Sequence, residues 1–185
     1  MKKIIFFVLI LICFSLQAYI DLFSDIGYTN IQSSFNDKID VLHLGVGSTL
    51  ALGHTFFCGI QTEYQAITRL IKTNEQLEFY KNQKSLYILP VLGIDFGSII
   101  LKISTANIGY YFLKQEKYNT AITNKKPSGI IITVLKKVGK NWFWGSSYSS
   151  TTFKEVKLSG EAANQDTVSQ TSKMLTASLI TGYNF

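Results

Sequence analysis

Five ionisable residues carry most of the chemistry this 185-residue sequence offers: Asp25, His43, Glu63, Asp95 and Lys102. A hydroxyl, an imidazole and a carboxylate in mutual reach make an acyl-transfer site, because the imidazole takes the hydroxyl proton and the carboxylate orients the imidazole. The chain has two histidines. His54 follows Gly53 in a turn-like dipeptide and is expected in solvent. His43 stands in His43-Leu44-Gly45, with no serine two residues on. No catalytic residue is therefore assigned. Two histidines and, beyond residue 18, the lone Cys58 do not make a metal-ligand cluster, so neither metal nor cofactor is expected. Gly45-Val46-Gly47 lacks the strand–turn–helix setting of a phosphate-binding loop, and its glycines make room in a confined interior. The five ionisable residues then read as a buried polar network, with Asp95 and Lys102 expected to pair across a hairpin.

The elements that must hold such a network alternate with the strand period of two. Eight segments stand out, at about 22–31, 41–52, 56–68, 85–96, 99–113, 129–137, 141–153 and 173–185. The second is the clearest, with Leu42, Leu44, Val46, Leu50 and Leu52 on one face and His43, Gly45, Gly47, Thr49 and Ala51 on the other. Each of Asp25, His43, Glu63, Asp95 and Lys102 falls on the less apolar face of its strand. Pro90 lies inside the fourth segment, where a closed sheet has no free edge and proline cannot donate to the ladder; a bulge or kink is expected there. The phase of the fifth segment slips from Ile99, Leu101 and Ile103 to Ile108, Tyr110 and Phe112, which a β-bulge near Ala106-Asn107 would explain.

The connections run long, short, long, short, long, short, long. Gly53-His54, Gly97-Ser98 and Val138-Gly139-Lys140 are the short turns; 32–38, 69–84, 114–127 and 154–172 are the long connections. An even strand count puts both termini on the short-turn side. Trp142, Trp144, Phe56, Phe96, Tyr183 and Phe185 fall near that side, and Tyr28, Tyr64, Tyr111 and Tyr148 near the other, as two aromatic belts.

The ends add an address. Met1-Lys2-Lys3, the apolar run from Ile4 to Phe14 and Ser15-Leu16-Gln17-Ala18 have the charged, apolar and small-residue parts of an export signal. Residues 1–18 are read as a signal peptide and 19–185 as one domain. Ile12 before Cys13 argues against a lipoprotein signal. Without Lys2 and Lys3 the formal charge falls from +6 to +4, too mild and too scattered for nucleic acid. At the other end Leu179, Thr181, Tyr183 and Phe185 share one face of a strand ending in phenylalanine.

That terminal strand, the export signal, the strand count and the loop rhythm together resemble small outer-membrane β-barrels of the OmpA/OmpX-type class. The resemblance implies an all-β, eight-stranded antiparallel up-and-down transmembrane barrel in the bacterial outer membrane. It implies that Leu179, Thr181, Tyr183 and Phe185 are read by the barrel assembly machinery. It also implies contact with outer-membrane lipid and lipopolysaccharide, and a non-enzymatic role in envelope integrity or surface interaction through four external loops. A filled polar lumen and a monomer are expected. The partner of the loops is not specified by sequence. Lysines in those loops, Lys84, Lys114, Lys154 and Lys173 among them, suit either a solvated surface or contact with outer-leaflet phosphates. Two other readings stay open: a lipid-A-modifying enzyme of the same architecture, and a soluble lipocalin-like binder, which composition alone does not exclude.

Overall fold

The computed structural model describes residues 18–33, 38–72, 84–117, 120–159 and 171–185. Of the residues 1–18 read as an export signal, 1–17 lie outside them and Ala18 is the first residue of the first strand. The described chain forms β1 (Ala18–Ser33), β2 (Lys38–Gly53), β3 (Phe56–Lys72), β4 (Lys84–Asp95), β5 (Ile99–Thr105), β6 (Tyr110–Lys117), β7 (Thr120–Val138), β8 (Trp142–Ser159) and β9 (Ser172–Asn184). β5 and β6 are two parts of one barrel strand, both lying between β4 and β7. Each strand pairs antiparallel with its sequence neighbours, and β1 pairs with β9, so the sheet closes as an eight-stranded up-and-down barrel.

The joint between β5 and β6 accounts for the phase slip. On β4, the pair Ile88↔Tyr110 is followed by Val91↔Ser104. Two residues, Leu89 and Pro90, thus face the five residues 105–109, and the odd surplus of three reverses which parity points inward. Ile103 and Tyr110 both face out as a result. Asn107 stitches the bulge to the wall by accepting from the Gly129 amide through Oδ1 at 2.9 Å. Gly109 makes the return possible: its φ is 122°, and a Cβ there would sit 2.5 Å from the Ile88 carbonyl oxygen. The irregularity expected at Pro90 lies on one side of β4 only, where Leu89 and Pro90 face the bulge. The β3–β4 register runs through Ile60↔Pro90 without a shift. The proline sits where the ladder on its other side is already broken, so its missing N–H costs no bond there.

The three short turns stand as expected, at Gly53, Gly97 and Gly139, each with positive φ. The long connections are shorter than the alternation of side chains suggested. β1 and β2 stay paired to Gln32↔Lys38, and β7 and β8 to Ala121↔Ser159. The expected loop 114–127 is largely ladder, with Lys117↔Thr120 closing β6 on β7. Strands of 16 to 19 residues result for β1, β2, β3, β7 and β8. About ten residues suffice to cross a bilayer when tilted, and the surplus runs on at the long-connection end. Backbone pairing continues there on polar side chains, which is why the pattern of apolar residues under-read it.

Inside and outside are inverted relative to a soluble domain. Among the described residues, twenty-eight large apolar or aromatic side chains are exposed, among them Leu22, Val46 and Leu92 at 52, 60 and 61 % exposure. Phe56, Phe96, Trp142, Trp144, Tyr183 and Phe185 ring the short-turn end; Trp142 meets Tyr183 edge-on at 5.3 Å, and Tyr183 meets Phe185 at 5.0 Å. Tyr28, Tyr64, Tyr110 and Tyr148 face out toward the other end; the side chain of Tyr111 lies outside the described set, and Tyr110 is the exposed member of that pair.

Inward-facing apolar side chains gather into two clusters, one toward each end of the barrel. Tyr19, Phe23, Ala51, Phe57, Ile100, Leu135, Phe143 and Ile180 plug the short-turn end. Ile31, Val41, Tyr87, Leu89, Ala106, Ile131, Phe153 and Met174 plug the far end. The wholly polar plug expected from sequence missed these clusters because they occupy the mostly polar face of each strand.

Candidate functional site: the lumen network

Inward-facing polar groups form three centres, the third of them within the short-turn plug. The first spans β1, β2 and β9. His43 Nε2 lies 2.9 Å from Asp25 Oδ2 and 3.2 Å from Ser178 Oγ, while Nδ1 lies 3.1 Å from Thr29 Oγ1. Thr29 in turn meets Thr176 Oγ1 at 3.1 Å. All five residues are buried. Glycine makes the arrangement possible. Gly27 separates His43 on β2 from Ser178 on β9, and a Cβ on it would come within 2.4 Å of both the imidazole and the Ser178 hydroxyl. Without that side chain the imidazole lies flat across β1 and reaches β9. Gly45 likewise leaves room for the Asp25 carboxyl, 1.9 Å from where a Cβ would be.

This centre brings together the three groups that the sequence kept apart, because β9 delivers Ser178 from 135 residues away. It is not arranged as a hydrolytic triad. That mechanism places carboxylate and hydroxyl on opposite ring nitrogens, whereas Asp25 and Ser178 share Nε2. On the opposite nitrogen stands Thr29, whose hydroxyl is taken up by Thr176 and is 3 % exposed. The relay ends in another hydroxyl.

The second centre spans β3, β4 and β5. Glu63 accepts hydrogen bonds from the Tyr87 hydroxyl and from Gln65 Nε2. Ser85 Oγ donates to Gln65 Oε1 at 3.2 Å, and Ser104 Oγ reaches Gln61 Oε1 at 3.4 Å. Gln61 Nε2 donates to the Tyr87 hydroxyl at 3.4 Å, so the Glu63 centre reaches β5 through neutral partners.

The third centre corrects the expected Asp95–Lys102 pair. Lys102 instead crosses the lumen to Asp21 on β1 and donates to Thr49 Oγ1 at 3.0 Å. Its ammonium lies 5.3 Å from the Tyr19 ring centroid and 5.9 Å from those of Phe23 and Phe143. Register explains the difference: Lys102 stands opposite Gly93, and Asp95 opposite Ile100. Asp95 belongs to the rim, where it pairs with Lys137 and caps the Gly97 amide at 2.8 Å. Asp21 was missed because the first strand was begun at Leu22, four residues after β1 starts at Ala18. Its spacing of four from Asp25, on the same face, is the signal that would have found it.

Leu179, Thr181 and Tyr183 share the outward face of β9, and Phe185 just beyond its end is exposed, its amide bound to the Ile20 carbonyl at 2.9 Å. Among the described residues no group of three or more His, Cys, Asp or Glu is placed to hold a metal ion.

No family model and no curated protein sequence matches the chain. Solved structures do. Neisserial surface protein A aligns over 87 % of this chain and 95 % of its own, at 10 % identity and a TM-score of 0.51. The attachment invasion locus protein Ail of Yersinia pestis, solved with the heparin analogue sucrose octasulfate, aligns over 92 % of this chain and all of its own, at 9 % identity and a TM-score of 0.55. Both are small eight-stranded outer-membrane barrels. The fold is theirs.

Proposed function

We propose that this chain is a non-enzymatic protein of the bacterial outer membrane that acts in envelope integrity or surface interaction through its long-connection end. The apolar outer belt between two aromatic rings carries the reading. Soluble proteins rarely expose a continuous apolar patch beyond a few hundred Å², and each half-exposed Leu, Ile or Phe left in water forgoes about 1 kcal/mol of burial. Among the described residues nineteen such side chains, with nine exposed Val, Tyr and Trp beside them, argue for lipid and against the lipocalin-like alternative. The packed lumen argues against a channel. The hydroxyl-terminated relay behind His43 argues against the lipid-modifying enzyme. In this reading residues 1–18 are removed on export, Leu179, Thr181, Tyr183 and Phe185 guide assembly by the barrel machinery, and the barrel is a monomer. Two structural neighbours named for surface or attachment support a role at the cell exterior.

Membrane fractionation with boiled and unboiled samples tests the proposal. Recovery in the outer membrane with a heat-dependent gel shift is expected; recovery in the soluble periplasm would overturn it. Large, stable currents in planar bilayers would contradict the filled lumen, and altered lipid A on deleting the gene would revive the enzyme.

A further inference from the structure

The lumen is unbalanced in charge. Among the described residues Asp21, Asp25 and Glu63 are its buried carboxylates, and Lys102 and His43 its buried bases. Lys102 is taken by Asp21, and His43 by Asp25. Glu63 meets Tyr87 and Gln65, which are neutral. Even with the imidazole protonated, one negative charge is left over. A buried charge is costly unless it is paired or coordinates a metal.

A second observation falls at the same place. Asp25 Oδ2 is held by His43, but Oδ1 is buried and none of the described residues hydrogen-bonds to it. That oxygen is directed across Gly45 toward β3. It lies 1.9 Å from where a Gly45 Cβ would stand, and Gln65 Cγ lies 3.2 Å from the same point. The amide at the end of that glutamine reaches Glu63 through Nε2. Gln65 therefore links the unpartnered oxygen of Asp25 to the carboxylate that lacks a countercharge. Among the described residues Asp25 is also the charge within reach of Glu63.

We propose that Asp25 Oδ1 and the Glu63 carboxylate hold one monovalent metal cation, sodium or potassium, beside the Gln65 amide. Carboxylate and amide oxygens are hard ligands, suited to hard ions. One positive charge is what the balance requires. Calcium takes six to eight oxygens, and among the described residues no group of three or more His, Cys, Asp or Glu is placed to hold a metal ion. The ion is therefore not a divalent one. Apolar clusters stand toward both ends of the barrel, so uptake of the ion accompanies folding and its release accompanies unfolding.

The test unfolds the detergent-refolded barrel with urea in sodium, potassium or choline chloride, at equal concentration and neutral pH. A ligand of the folded state raises stability as its concentration rises. The wild-type midpoint is expected to be higher in the sodium or potassium salt than in choline chloride, and to climb with the metal salt. Glu63→Gln removes the charge while keeping an acceptor for Tyr87, and is expected to abolish that dependence. Asp25→Asn replaces it if Glu63→Gln lacks the heat-dependent gel shift that marks folding. Asp95→Asn at the rim is the control expected to keep the dependence. One midpoint in all three salts would overturn the site, whether or not either variant folds. So would a dependence that survives in the folded variants. A wild-type midpoint that follows pH but not the metal would assign the balancing charge to a proton, and would overturn the site equally.

Discussion

Among the described residues, two buried carboxylates each meet a basic side chain, and the two pairs are built differently. Lys102–Asp21 sits at the short-turn end, walled by Tyr19, Phe23 and Phe143, with one further hydroxyl at hand. Asp25–His43 sits in the middle, threaded through two glycine gaps and ending in three hydroxyls on β1 and β9. A charge among aromatic rings has few substitutes if its partner goes. A charge among hydroxyls has many. The first pair also joins strands on opposite sides of the lumen, β1 and β5, whereas the second stays within the adjacent strands β1, β2 and β9. Lys102–Asp21 is therefore the more brittle of the two.

The largest effect follows from that difference. Lys102→Met leaves Asp21 as an uncompensated charge that is 0 % exposed, and removing one partner of a buried pair costs about 3–5 kcal/mol. The variant is expected to lose heat-resistant folding or to unfold at markedly lower urea in vesicles. The double change Lys102→Met with Asp21→Leu removes both charges from an apolar surround and should recover most of the loss. A double variant as unstable as the single one would show that the pair does not set the stability of that end.

Gly27→Ala comes next and probes the middle. Its Cβ would overlap both the imidazole and Ser178 Oγ at 2.4 Å, so His43 must give up its place. Overpacking of this kind costs about 1–3 kcal/mol. Combining it with His43→Ala should restore part of the midpoint in urea, because the clash disappears along with the ring. A Gly27→Ala barrel as stable as the wild type would show that the imidazole does not need the gap.

Most of the fold was legible because the period of two survives in every strand: Leu42 to Leu52 on β2 assigned both faces without ambiguity. The odd slip between Ile103 and Tyr110 was legible too, since a change of parity can only be made by an extra residue or three. The centres were legible in membership but not in partnership. His43 and Asp25 lie 18 residues apart and on neighbouring strands, yet Ser178 reaches them only because the barrel closes β9 on β1. Lys102 pairs with Asp21 across the lumen, a contact that depends on tilt and stagger, and neither is written in a local pattern. The apolar plugs were missed for a related reason. Phe23, Phe57 and Phe143 each interrupt an otherwise small or polar inner face, and only closure shows that they meet.

Thr29→Val should cost less than either change above. It deletes one hydroxyl while keeping the shape, leaving His43 Nδ1 and Thr176 Oγ1 each short of a partner. Leaving buried polar groups unsatisfied costs about 1–3 kcal/mol, and the neighbouring hydroxyls hold the expectation to the low end. Pairing Thr29→Val with Thr176→Val removes the second orphan, so the double variant is expected to unfold no earlier than the single one. A double variant that loses twice as much would mean that each threonine acts alone and that the chain of hydroxyls is not a unit.

The smallest effect belongs to the rim. Asp95 and Lys137 form an ion pair at the short-turn end, but the lysine side chain is 31 % exposed and the aspartate 11 %. Water screens such a pair, and exposed pairs contribute about 0–1 kcal/mol. Asp95 also caps the Gly97 amide, and asparagine preserves that acceptor. Asp95→Asn should therefore shift the urea midpoint slightly, whereas Asp95→Ala, which removes the cap as well, should shift it more. Burial among aromatic rings, not the presence of opposite charges, makes the Lys102 centre costly to break. If Asp95→Asn destabilised the barrel as severely as Lys102→Met, that distinction would fail.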